Sequence, residues 1–213
     1  MKSRLAAFLI SMLVAPAIAD AHPHIFADAT IEVTANKDGT LGELRNVWRF
    51  DDVFSSSVLL DFDTNTDLKL DHDELEEISK TIRTSLADYD YFTFITRDGA
   101  PVKIGKPDHF HADFKDNKLL LVFSLRPVDK VPLKGKFNIG IYDPTLYTAI
   151  DFNKDEDMKV EGKLLKACKR SVVRPDPDKI FAQNQNMQTE SFFNDPGNTD
   201  IGKLFATRLE MTC

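Results

Sequence analysis

From His22 to Ala35, apolar and polar residues alternate one by one. Ile25, Ala27, Ala29, Ile31 and Val33 fall on one side; His24, Phe26, Asp28, Thr30 and Glu32 fall on the other. A period of two marks a strand with one buried face. Turn chemistry follows at Asn36-Lys37-Asp38-Gly39. Leu41 to Phe50 is then a second strand, with Leu44, Trp48 and Phe50 on one face. The two read as a hairpin. Further short strands are predicted at 91–96, 102–104, 110–114, 119–125, 137–142, 148–152, 166–174 and 204–212. Turn residues separate them at Arg97-Asp98-Gly99, Asp116-Asn117, Asp143-Pro144 and Pro175-Asp176-Pro177. Many short strands at intervals of about ten residues predict a mainly β chain, an Ig-like β-sandwich. A short helix is expected within 178–189 and a polar loop over 190–202.

One stretch breaks the period. Val53, Phe54, Val58, Leu59 and Phe62 suit a helix that starts near Asp51 or Asp52. Leu75, Ile78, Ile82 and Leu86 form the apolar stripe of a second helix, from about His72 to Tyr89. Between them lies Asp63-Thr64-Asn65-Thr66-Asp67-Leu68-Lys69-Leu70-Asp71-His72-Asp73-Glu74. Candidate ligand side chains occupy positions 1, 3, 5, 9 and 12, namely Asp63, Asn65, Asp67, Asp71 and Glu74. Position 7, Lys69, offers its backbone carbonyl. A hard cation such as calcium needs oxygens converging at this spacing from one tightly turned segment, so the run reads as an EF-hand-like calcium loop. Position 6 departs from that pattern. Glycine is expected there because the chain turns with positive φ, and Leu68 stands in its place at a cost of about 1–2 kcal/mol. The helix-loop-helix over 51–89 is expected as an insertion in the sandwich.

The start of the chain has the features of a secretory signal peptide. Lys2 and Arg4 precede an apolar run from Leu5 to Ala15, too short to span a bilayer, and Pro16 ends it. Small residues allow cleavage after Ala19 or after Ala21. Residues 1–21 are thus expected to be removed, leaving 22–213 as one exported domain without direct membrane insertion. The formal net charge of −7 argues against nucleic acid and anionic lipid as partners. The two cysteines are Cys168 and the final residue, Cys213. An even count in an exported chain points to one disulfide; the alternative use is as two thiolate metal ligands.

Four of the five histidines come as His-x-His pairs, His22 with His24 and His109 with His111. On a strand such pairs project from one face about 7 Å apart, so each offers two imidazoles to one metal. Two such strands side by side would build a four-nitrogen site suited to Zn, Ni, Co or Cu. Asp28, Asp108, Asp113 and Asp143 are candidate supporting carboxylates. A mature terminus at Asp20 would add a square-planar nitrogen site for Cu(II) or Ni(II). A terminus at His22 would chelate through its amine and imidazole. The sequence has no GxSxG, no HExxH and no glycine-rich phosphate loop, so no enzyme activity is expected. Two other functions stay open: an interaction module without a transition metal, and a copper enzyme using an N-terminal histidine.

Taken in order, His22-Pro23-His24-Ile25-Phe26, the acidic run ending Asp73-Glu74-Leu75, Tyr142-Asp143-Pro144-Thr145 and the terminal Cys213 resemble bacterial periplasmic domain-of-unknown-function family 1007. That family is described as the periplasmic component of an uncharacterised ABC-type transport system. The resemblance covers the mature chain. It implies a periplasmic metal-binding accessory of a nickel, cobalt or zinc transport system, with a membrane metal permease as partner.

Overall fold

A computed structural model describes residues 23–184 and 200–213. The expected signal peptide, His22 and part of the expected 178–202 region lie outside those residues. The chain is mainly β, in two sheets that share one core. The hairpin of β1 (Ile25–Ala35) and β2 (Leu41–Phe50) forms as expected, with Ala29 opposite Trp48. β3 (Thr93–Arg97), β4 (Ala100–Val102), β5 (His109–Lys115), β6 (Lys118–Leu125), β7 (Lys136–Ile141) and β8 (Thr148–Asp151) follow. β9 (Met158–Val160), β10 (Lys169–Val173) and β11 (Arg208–Thr212) complete the set. One sheet runs β5-β6-β2-β1-β8, with β9 also paired to β1; the other runs β10-β11-β7-β3-β4. Both β8 and β9 lie parallel to β1, each along a different half of it.

Alternation decides what each sheet buries. Ile31, Val33, Leu44, Trp48, Leu121 and Phe123 from the first sheet meet Ile95, Phe137, Ile139, Leu209 and Met211 from the second. Trp48 sits at the centre. It packs edge-on against Phe123 at 4.9 Å and stacks on Phe92, at the entry to β3, at 6.2 Å. The disulfide between Cys168 and Cys213 is formed, and ties the C-terminal residue to the segment just before β10. By loop-closure entropy, a bridge across 45 residues contributes about 4 kcal/mol.

The helical hairpin lies over the β5 and β6 edge. α1 (Asp52–Phe62) is capped by Asp51, whose carboxylate accepts from the amides of Val53 and Phe54. α2 (His72–Leu86) buries Ile78 and Leu86, with Leu75 and Ile82 partly buried against the core. Two serines fasten these helices to the sheet. Ser55 Oγ donates to the Asp51 carbonyl at 2.6 Å and accepts from the Leu119 amide at 3.0 Å. Ser79 Oγ donates to the Leu75 carbonyl at 2.7 Å and accepts from the Ala112 amide at 2.8 Å. Each hydroxyl satisfies a buried strand amide that would otherwise lack a partner. β5 is an edge strand, and α2 shields it from further pairing.

Several boundaries differ from the sequence reading. α2 ends at Leu86 instead of running to Tyr89, and residues 87–92 form a kinked turn with non-helical backbone at Tyr89, Asp90 and Tyr91. Asp90, Tyr91 and Phe92 take positive φ of 50°, 53° and 54° in succession, so the strand expected from Tyr91 starts at Thr93. That left-handed turn costs about 1–2 kcal/mol per residue, offset by burial of Tyr91 and Phe92 in the core. The strand expected from Lys166 begins at Lys169, after a 3-10 turn at Leu165–Ala167. Of the strand expected from Leu204, the first residues belong to a short helix, Ile201–Phe205. The helix expected within 178–189 is Pro177–Gln183 over the described residues. We label these two helices α3 (Pro177–Gln183) and α4 (Ile201–Phe205). β9 had no sequence signal, because three residues are too few to show a period.

Ser55→Ala and Ser79→Ala should each destabilise the protein by about 1–3 kcal/mol, because each strands a buried amide. Denaturant unfolding measures that cost. Hydrogen exchange should quicken at Leu119 in the first variant and at Ala112 in the second.

Candidate cation sites on the hairpin and the sheet

The acidic run joins α1 to α2, and its backbone is turned where a calcium loop would be. Thr66 and Leu68 have φ of 58° and 61°. Leu68 therefore adopts the left-handed conformation usually left to glycine, with its side chain 68% exposed. Inward-facing oxygens hold the turn. The Asp63 carboxylate accepts from the amides of Asp67 at 3.1 Å and Leu68 at 2.8 Å. Asn65 Oδ1 accepts from the Asp67 amide at 2.9 Å, and Asp67 Oδ1 from the Lys69 amide at 2.9 Å. Positions 1, 3 and 5 thus lie on the inside of one turn.

The far end of the loop is committed to the helix. Asp71 caps α2 by accepting from the Glu74 amide, and Glu74 Oε2 accepts from the Asp71 amide in return, a capping box. Glu74 Oε1 accepts from the amide and hydroxyl of Thr64, both at 2.8 Å. The Glu74 side chain therefore staples the start of the loop to the start of α2. The Asp71 amide, then the Thr64 hydroxyl, hold its carboxyl below the usual value of 4.5. To bind calcium in two-oxygen fashion, Glu74 must exchange these donors for the ion.

The histidine pairs do not form one site. β2 and β6 lie between β1 and β5. Through the registers, His109 shares a rung with Ser124, Arg45 and Glu32. His24 precedes β1 at the opposite end of that ladder. Three strand spacings separate them laterally by about 14 Å, and the run from His24 to Glu32 adds about 26 Å along the strand. A four-nitrogen site joining the pairs is thus ruled out by topology. What remains is local. His109 and His111 project from one exposed face of β5, and His24 lies 4.9 Å from the Tyr147 ring. His22 is outside the described residues.

The supporting carboxylates are engaged elsewhere. Asp108 pairs with Arg126 at 3.3 Å, and Asp28 accepts from Asn153. Asp113 accepts from the Phe114 amide. Asp143 is 4% exposed and accepts from the amide and hydroxyl of Thr145 and from the Thr148 amide. It builds the turn that leads to Tyr147, whose carbonyl accepts from the His24 amide. The cysteines are spent in the disulfide, so neither is a thiolate ligand.

The fifth histidine, outside either His-x-His pair, has company of its own. His72, Asp73 and Glu76, all exposed, bring ligand atoms within 4.8 Å of one another at the first turn of α2. The available signal was the four-residue interval from His72 to Glu76, which places both on one helix face. The positive end of the helix dipole opposes a cation at that position.

The comparisons place the chain among known sequences. The profile of the family described as "Protein of unknown function (DUF1007)" matches residues 7–213. The chain belongs to that family. No curated protein matches it. Among the described residues, no helix is long and apolar enough to cross a membrane.

Two outcomes follow for the loop. Leu68→Gly relieves the left-handed leucine and should raise the melting temperature by a few degrees, as about 1 kcal/mol does in a chain of this size. Glu74 stabilises the fold above its ordinary pKa of 4.5, and that contribution is lost as pH falls through its lower folded value. Acid should therefore loosen the hairpin, seen as faster exchange at the Thr64 and Asp71 amides. Glu74→Gln should flatten that pH dependence.

Proposed function

We propose that this protein is an exported, periplasmic metal-binding accessory of a transition-metal transport system, without enzyme activity of its own. In this reading the fold is an Ig-like sandwich carrying an EF-hand-like insertion. The loop from Asp63 to Glu74 takes calcium, and the strand histidines take zinc, nickel, cobalt or copper for a membrane permease. The observation that carries the cation reading is Leu68. A leucine held left-handed, with Asp63, Asn65 and Asp67 oxygens turned inward beneath it, is strain retained in the geometry that oxygen coordination demands. The transport role rests on the family likeness. Calcium would be a structural ion, because the loop is fastened through α2 and Ser79 to the sheet. The transition metal would sit at His109 and His111, where two imidazoles share an open face and water or a partner completes the shell.

Calorimetric titration of correctly processed protein with calcium, zinc, nickel, cobalt and copper tests this. Asp63→Asn should abolish calcium binding and leave transition-metal binding unchanged. His109→Ala with His111→Ala should weaken transition-metal binding at least about tenfold; His72→Ala is the control for the helix cluster. No transition-metal binding tighter than about millimolar would sink the transport reading.

A further inference from the structure

A groove of about 840 Å³ lies over the outer face of the second sheet, lined by neither the acidic loop nor the histidines. Its volume falls in the range of small-molecule sites, about 300–1,000 Å³. The floor is set by strand register. Arg208, Gly140 and Phe94 stand on one rung of β11, β7 and β3. Gly140 has no side chain to raise. A Cβ there would meet the Tyr142 ring at 3.1 Å, so the glycine lets that ring fold down and stack on Phe94 at 4.4 Å. The Tyr142 hydroxyl donates to Asp200 at 3.1 Å, at the start of α4. α4 is pressed hard against the same wall: a Cβ on Gly202 would fall 1.8 Å from the Asp143 carbonyl oxygen. The result is a fixed aromatic platform beside an open cavity.

The charges around it are unequal in their commitments. Asp200 accepts from Tyr142, and Glu210 is shared between Arg208 at 3.5 Å and Lys136 at 3.6 Å. Asp90 lies at the rim on the left-handed turn. Lys103 and Lys203 line the groove, are exposed, and make no ion pair among the described residues. Free ammonium groups beside an aromatic floor select locally for an anionic head on a flat apolar body. Burial and the Asp200 carboxylate push the Tyr142 hydroxyl above its usual value, so it stays protonated as an anchor. We propose that this groove binds a small organic anion with a planar, unsaturated body. Its flat face lies on Phe94 and Tyr142, and its acidic group is held by Lys103 or Lys203 with Arg208 opposite.

The test uses 2-naphthoate as the probe on the intact processed protein, in chelator-treated buffer, followed by calorimetry and by chemical shifts of groove amides. Because no metal is present, the outcome is separate from the cation titrations. Naphthoate should bind at least about tenfold more tightly than 2-naphthylmethanol or 2-naphthylmethylamine. Lys103→Gln, at an exposed site, and Arg208→Gln, at a half-buried one, should each weaken it several-fold. Phe94→Leu should weaken all three aromatic probes alike. No naphthoate binding, equal binding of the alcohol or amine, or indifference to both cation variants would overturn the proposal.

Discussion

The stack of Phe92 on Trp48 is the contact on which the rest of the molecule turns. Trp48 belongs to the first sheet and Phe92 leads into the second, so this one pair joins the layers at the centre of the core. Phe92 reaches that position only because three residues in a row, Asp90 to Phe92, are left-handed. The same turn ends the helical hairpin and starts β3. Its last carbonyl accepts from the Tyr142 amide, and Asp90 stands at the mouth of the groove. The end of the hairpin, the entry to the core and the rim of the groove therefore meet at one strained corner. Burial of two aromatic side chains, at about 25 cal/mol per Å² of apolar surface, is of the size needed to hold it.

From that corner the chain divides its labour. The inner faces of both sheets are mostly apolar, with Asn46 and Thr93 the buried polar exceptions among their central strands. The outer faces are left to chemistry: histidines on β5, aromatic and cationic residues on the second sheet. The hairpin is fastened to the sheet by two side-chain hydroxyls, Ser55 and Ser79, together with the apolar stripe of α2. α1 shows why. Val53 and Leu60 are 78% and 70% exposed, so its apolar residues do not make one buried stripe and the hydroxyl contact supplies specificity. Through α2, the acidic loop is rigidly joined to the sheet edge.

Much of this was legible in the sequence. Period-two alternation placed β1, β2 and their shared face, because each strand has one wet side. The expected start near Asp51 or Asp52 and the apolar spacing of each run placed both helices. The two cysteines announced their bridge. What could not be read depended on contacts across the fold. The left-handed turn at Asp90–Phe92 looks like a strand start, since tyrosine and phenylalanine favour strands and nothing local demands positive φ. The separation of the histidine pairs is a matter of strand order, and order does not appear in any local pattern. The groove arises from Gly140, Tyr142 and Phe94, whose meeting is set by register alone. Asp143-Pro144 reads as a turn from its own residues, whereas the place of Tyr142 in the groove wall depends on Asp200 and α4.

The central claim is that the acidic loop is a cation site mechanically joined to the sheet through α2. Hydrogen exchange of the same protein with and without saturating calcium tests it directly. The account predicts slower exchange along α2 and at the Ala112 amide held by Ser79, and unchanged exchange in β7 and β11. Identical exchange at Ala112 and along α2 in both conditions would contradict it.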